Sequence, residues 1–222
     1  MIQLPDFAKA FEYENNFYHA SDVNRLAKVM AHYDLYRMTV DLPGAIVECG
    51  VFKGSSLIRF ATFRQLLSNP SAKKIIGFDV FGEFPETEFD ADKKWREKFI
   101  TDSGEQGIGK DQLMDVLRHK GIAQNVELIQ GDVCQTLPEY VLAHPELRIS
   151  LLNIDVDVYE PTAAALQHLY DRVVLGGVIV LDDYANVFPG ANKAVEEFFA
   201  DKDVQINRFP YAVTPCYVVK KY

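Results

Sequence analysis

No stretch of this 222-residue chain approaches the roughly 18 consecutive apolar residues of a membrane-spanning helix. The opening MIQLPDFAKAFEYENN carries acids and amides where a secretory signal has a basic start and an apolar centre. A soluble, cytoplasmic protein with no membrane partner is therefore expected. Cysteine is scarce: Cys49, Cys134 and Cys216 are widely spaced, odd in number and form no CxxC pair. That pattern argues against a disulfide framework and against a zinc site, and Cys49, in an apolar strand end, reads as a small buried side chain. Positive charge is in deficit as well, with 23 Lys and Arg against 32 Asp and Glu, a net charge of −9. A nucleic-acid backbone rewards a basic surface, so no nucleic-acid partner is expected. No period of about 20 to 50 residues repeats, which excludes a solenoid.

What is present is an alternation of strand-like and helical patterns, as in a wound α/β sheet forming one domain over residues 1–222. The N-terminal helical segment 1–42 contains a helix at about 22–39, capped by Ser21 or Asp22, with Leu26, Val29, Met30, Tyr33 and Tyr36 as its apolar stripe. The aromatic residues Phe7, Phe11, Tyr13, Phe17 and Tyr18 before it suit either a subunit interface or packing on the chain's own core. Strands are expected at 45–48, 74–78, 126–130, 149–154 and from Val178, after a break at Gly176-Gly177. Helices are expected near 55–68, 161–171 and 190–200. The segments Gln205–Phe209 and Cys216–Lys220 read as a closing hairpin that reverses one strand. The insertion 82–125, with helices near 90–101 and 110–119, fits a lid or substrate loop as well as it fits a solvated helix pair.

Three acids stand where apolar strands stop: Asp155 in NIDVDVYEP, and Asp182 and Asp183 in GGVIVLDDYANVFPG. Ligands of open α/β sheets bind at such strand ends. If the two strands are neighbours, each carboxylate pair at 4 Å repels by roughly 4 kcal/mol at an effective dielectric of 20. A hard divalent cation such as Mg²⁺ offsets that most simply. Singly, each acid would serve equally well as a helix N-cap, and Asp157 as a helix-start acid favoured by the dipole.

The turn IVECGVFKGSS places Gly50 and Gly54 between a strand and a helix start, where backbone N–H groups suit a phosphate or carboxylate. It is neither GxGxxG nor a P-loop, since Lys53 precedes Gly54. Glu48 before the turn would repel a pyrophosphate and attract an amine. Asp79 ends the next strand, where wound folds place the acid that grips ribose hydroxyls, and Gly131-Asp132 is a rim site suited to an adenine edge. An ammonium site, a carboxylate site and a ribose acid together describe S-adenosylmethionine better than NAD.

The segments GAIVECGVFKGSSLIRF, IIGFDVFGEFPE and NIDVDVYEPTAAALQHLYDRVVLGGVIVLDDY resemble the macrocin O-methyltransferase family, from about residue 22 to the C-terminus. The resemblance implies a Rossmann-like class I methyltransferase with a mostly parallel seven-stranded sheet, S-adenosylmethionine as cofactor, a deoxysugar hydroxyl (sugar nucleotide or glycoside) as acceptor, and a homo-oligomer. It implies that Glu48, Gly50, Gly54 and Ser55 hold the methionine part, with Cys49 and Asp155 beside them, Asp79 the ribose, and Asp132 and Val133 the adenine. Asp155, Asp182 and Asp183 would bind Mg²⁺. Catechol O-methyltransferases carry a lysine base where this chain has Val158, so a carboxylate base is expected, Asp155 first and Asp157 second. Tyr159, Glu160 and Tyr184 are candidates to line the sugar pocket, whereas His19, His32, His119, His144 and His168 are assigned no role. The compact insertion favours a sugar nucleotide or other small acceptor. A small-phenol methyltransferase, an NAD-dependent oxidoreductase and a non-catalytic nucleotide-binding module are the alternatives.

Overall fold

The computed structural model describes residues 2–221. Its strands are β1 (Ala45–Cys49), β2 (Ile75–Asp79), β3 (Val126–Gln130), β4 (Ile149–Ile154), β5 (Val173–Leu181), β6 (Asn207–Arg208) and β7 (Cys216–Val219). They form one sheet in the order β3-β2-β1-β4-β5-β7-β6, parallel from β3 through β5, with β7 reversed. Every residue of β1, β2 and β4 is buried, as apolar runs covered on both faces should be.

Helices α1 (Ala10–Ala20), α2 (Val23–Met38), α3 (Ser55–Leu67), α4 (Asp90–Ser103), α5 (Lys110–His119), α6 (Val133–Ala143), α7 (Tyr159–Leu169) and α8 (Pro189–Phe199) complete the chain. Alternate strand residues feed two cores. Val47, Phe78, Leu152 and Ile179 meet Leu137 of α6, Leu166 of α7 and Val195 of α8. Ile46, Ile75, Leu151 and Val178 meet Leu35 of α2, Phe60 of α3 and Leu117 of α5 on the other face. Strand order turns back between β1 and β4, the position at which wound sheets open a crevice at their carboxyl ends.

Several expectations are corrected. Asp22, not Ser21, caps α2 by accepting the Asn24 N–H at 2.8 Å. The buried face of α2 is Ala27, Ala31, His32, Leu35 and Tyr36, while Leu26 and Met30 of the expected stripe are 40% and 48% exposed. Small alanines let α2 approach its neighbours closely, and that fit outweighed raw hydropathy. Gly176-Gly177 is an irregularity inside a continuous β5, where pairing to β4 shifts register. No residue of α1 is buried, so its aromatics do not pack on the chain's own core. Within the insertion, α5 buries Leu113, Val116 and Leu117 as an ordinary layer helix. Helix α4 is pinned by the fully buried Asp92, which accepts the Tyr159 and Gly190 N–H groups at 3.0 and 2.7 Å. Among the described residues, no helix is long and apolar enough to cross a membrane.

Candidate active site

Two cavities open in the crevice at the strand ends and share Gly50, Phe52, Asp155 and Asp157. The first, about 380 Å³, runs from Asp79 and Gly82 past Asp132, Val133 and Cys134. The second, about 300 Å³, is walled by Arg25 and Lys28 of α2 and Arg59 of α3, over a floor of Asp182 and Asp183.

The glycine turn is shaped by its neighbours. Gly50 has φ +87°, and a Cβ there would lie 1.7 Å from the Asp155 carbonyl oxygen, so only glycine lets β1 pass the end of β4. A Cβ on Gly54, φ +81°, would stand 2.8 Å from Leu113 Cδ1; this glycine serves helix packing and lines neither cavity. Asp79 accepts the N–H groups of Val51 and Phe52 at 2.7 and 2.9 Å and that of Phe81 at 2.6 Å, so it holds the turn in place. With three of its four lone-pair sites used, Asp79 also lines the first cavity.

Glu48 departs from its expected place. It is fully buried and lines neither cavity; the Ser56 hydroxyl donates to Oε1, Oε2 has no hydrogen-bond partner, and burial raises its pKa well above the usual carboxylate range. Its carboxyl sits behind the turn, against Ser56. Cys49 likewise packs into the α6–α7–α8 core, and burial pushes its thiol pKa up. Ser55 lines the second cavity; Asp132 and Val133 line the first, with Asp132 also capping α6 through the Cys134 N–H at 2.8 Å.

The three strand-end acids do converge. Asp155, Asp182 and Asp183 each offer an oxygen within 4.8 Å of the others. Burial and the neighbouring Asp182 raise Asp155, while burial, Asp157 and Asp182 raise Asp183. Asp157, φ +62°, donates its N–H to Asp183 Oδ2 at 2.9 Å, and burial with Asp155 and Asp182 nearby pushes its carboxyl up to about 8. Asp182 is held low despite burial, chiefly by Lys28, whose Nζ donates to Oδ2 at 2.6 Å and lies 3.9 Å from Asp155 Oδ2. Asp182 Oδ1 is buried without a hydrogen-bond partner, and His32 Nε2 stands 3.8 Å from it. An oxygen-only donor set with an unpartnered buried oxygen fits a hard divalent cation.

Sequence reasoning gave His32 no role, yet it is buried against Asp182, stacked on Phe60 at 5.1 Å. Lys28, Arg25 and Arg59 were missed too. The readable clue was the recurrence of Arg25, Lys28 and His32 at helical spacing along one side of α2. Of the expected sugar contacts, Tyr159 stacks on Phe89 and donates its hydroxyl to Glu197 at 2.7 Å, outside both cavities. Tyr184 lines neither of these two cavities and packs against the α6–α7–α8 core. Glu160 reaches the first cavity, but its oxygens accept the Thr87 hydroxyl and the Glu88 and Phe89 N–H groups at 2.9 Å each, holding the loop before α4.

A doubly wound sheet with a reversed C-terminal strand and a strand-end crevice of this kind defines the class I methyltransferase fold. Residues 22–210 match the model of the macrocin O-methyltransferase family, TylF, and the chain belongs to that family. It is 30% identical over 147 residues to the 8-demethyl-8-(2,3-dimethoxy-alpha-L-rhamnosyl)-tetracenomycin-C 4'-O-methyltransferase of Streptomyces olivaceus, covering 65% of this chain and 54% of that protein. It is 27% identical over 176 residues to the mycinamicin III 3''-O-methyltransferase of Micromonospora griseorubida, covering 75% and 66%. The chain thus spans little more than half to two thirds of the length of these relatives. The crystal structure of the calicheamicin methyltransferase CalS11 superposes with a TM-score of 0.74 at 26% identity, covering 96% of this chain and 86% of that one.

Proposed function

We propose that this protein transfers a methyl group from S-adenosylmethionine to a hydroxyl of a deoxysugar, carried on a nucleotide or in a glycoside, with the help of Mg²⁺ or a similar divalent cation. The observation that carries the reading is the convergence of Asp155, Asp182 and Asp183 on the floor of a cavity continuous with the glycine turn. The named activities of the family relatives support the sugar acceptor.

In this reading Gly50 keeps the turn open for the methionine part, the free lone pair of Asp79 takes a ribose hydroxyl, and Asp132 and Val133 flank the adenine. Methyl transfer is an in-line displacement at carbon, so alignment by these walls supplies much of the rate. A divalent ion on the three carboxylates would polarise the acceptor hydroxyl and lower its pKa. Asp157, which lines both cavities beside the acids, would then take the proton, whereas Asp155 would be committed to the cation. This reverses the order expected from sequence, because only in the fold does Asp155 face Asp182 and Lys28. Helix α4 and the loop before it, through Phe84, Pro85 and Phe99, form the outer wall that keeps water from the reacting atoms. We place the protein in the cytoplasm as a homo-oligomer, with α1 as the contact face; Phe11 and Tyr18 are 76% and 64% exposed, and sedimentation of Phe11→Ser checks it.

The test is calorimetric titration of S-adenosylhomocysteine into wild type and Asp79→Ala, followed by methyl transfer to deoxysugar nucleotides and glycosides with Mg²⁺ or EDTA. Binding that is lost in Asp79→Ala, and turnover abolished by EDTA, support the reading. No binding to wild type overturns the methyltransferase assignment, and full turnover in excess EDTA removes the cation from it.

A further inference from the structure

Four basic residues line the second cavity: Arg25, Lys28, Lys53 and Arg59. Two of them are occupied. Lys28 is paired with Asp182, and Lys53 donates to the Ser103 carbonyl at 2.5 Å, its ammonium 4.9 Å from the Phe52 ring centroid. The side chains of Arg25 and Arg59 have no hydrogen bond or ion pair among the described residues. Burial and the Arg25 charge lower the Arg59 pKa, and the attraction of Asp182, Glu48 and Asp155 offsets this only in part. Among the described residues neither arginine reaches a carboxylate within 4.0 Å, so the acids on the floor act on them through space and not as hydrogen-bonded partners. A half-buried cation without a partner, next to a second cation, is costly unless a ligand supplies the counter-charge. The guanidinium fork suits planar or tetrahedral oxyanions, which it binds with paired N–H donors.

We propose that Arg25 and Arg59 form an oxyanion subsite on the α2–α3 wall of the second cavity, for the α-carboxylate of the cofactor's methionine or for a phosphate of the acceptor. The inference rests on the methyltransferase reading for the identity of those ligands. It makes the cavity bipolar, with a cation-binding floor and an anion-binding wall, so a ligand is oriented end to end.

The experiment compares wild type, Arg25→Met, Arg59→Met and Arg59→Lys by calorimetry in metal-free buffer. The probes are S-adenosylhomocysteine, 5'-methylthioadenosine, which lacks the amino-acid part, and inorganic pyrophosphate. With a carboxylate ligand, S-adenosylhomocysteine binds ~10-fold or more weakly to both methionine variants, Arg59→Lys recovers part of the loss, and 5'-methylthioadenosine is unaffected. With a phosphate ligand, pyrophosphate binds wild type and loses affinity by a similar factor, and S-adenosylhomocysteine is unaffected. Affinities within twofold of wild type for all probes, or no pyrophosphate binding together with unchanged S-adenosylhomocysteine binding, overturn the subsite. If Arg59→Met fails to fold, the exposed Arg25 carries the comparison. Wild type that binds neither adenosine compound defeats the methyltransferase reading, and the pyrophosphate arm still judges the subsite.

Discussion

Two groups of acids can be compared around the strand-end crevice. Asp79, Asp92 and Glu160 spend their oxygens on donors of the fold: Asp79 on the N–H groups of the glycine turn, Asp92 on those at the starts of α7 and α8, Glu160 on the N–H groups and the Thr87 hydroxyl of the loop before α4. Asp155, Asp182 and Asp183, at the ends of β4 and β5, face one another, with Lys28 as their one paired cation among the described residues. Acids of the first group hold loops in place, and their charge is met by donors of the fold itself. The second group is left with mutual repulsion that the fold alone does not relieve, which is how a binding site differs from a structural one.

The comparison breaks most visibly at Asp155→Asn. Methyl transfer should fall about 10³-fold or more, while the melting temperature of the metal-free protein stays level or rises, because one of several like charges is gone. A loss of activity that merely tracks unfolding would erase the distinction. The next effect is opposite in kind. Asp92→Ala leaves the Gly190 and Tyr159 N–H groups without acceptors and should cost about 2–4 kcal/mol in urea unfolding. Turnover per folded molecule should stay within about threefold, because Asp92 lines neither cavity. Smaller still, Lys28→Met removes the ammonium that competes for Asp182 and should tighten divalent-cation binding by about tenfold, read by calorimetry. Weaker binding would mean that Lys28 organises the acids instead of competing for them. Tyr159→Phe should change neither activity nor stability beyond about 0.5 kcal/mol, since its hydroxyl meets Glu197 at the surface. A large loss of turnover there would return Tyr159 to the acceptor pocket.

Much of this was legible in the chain. Uninterrupted β-branched runs announce buried parallel strands, and acids at their ends announce a rim site; both follow from local pattern. The face of α2 was not legible, because close packing through Ala27 and Ala31 carries no hydropathy peak. The placement of Glu48 was not legible for a related reason. Its place in the motif is clear, but whether its carboxyl meets the cavity or the Ser56 hydroxyl depends on how α3 leaves the turn. Tyr159 and Glu160 stand beside the acids in sequence, yet the start of a helix turns consecutive side chains in different directions.

The sequence by itself determined the strand order's raw material, the glycine turn, the three metal-competent acids and the family, because each is written in residues adjacent along the chain. Only the tertiary structure decided what those acids face. Lys28 and Asp182 lie 154 residues apart, Arg25 and Arg59 join the same cavity from α2 and α3, and His32 stands buried 3.8 Å from Asp182. Charge acts through space over a few ångströms, so the shifted acidities of these carboxyls and the arginine-lined wall beside them arise only once packing has brought these groups together.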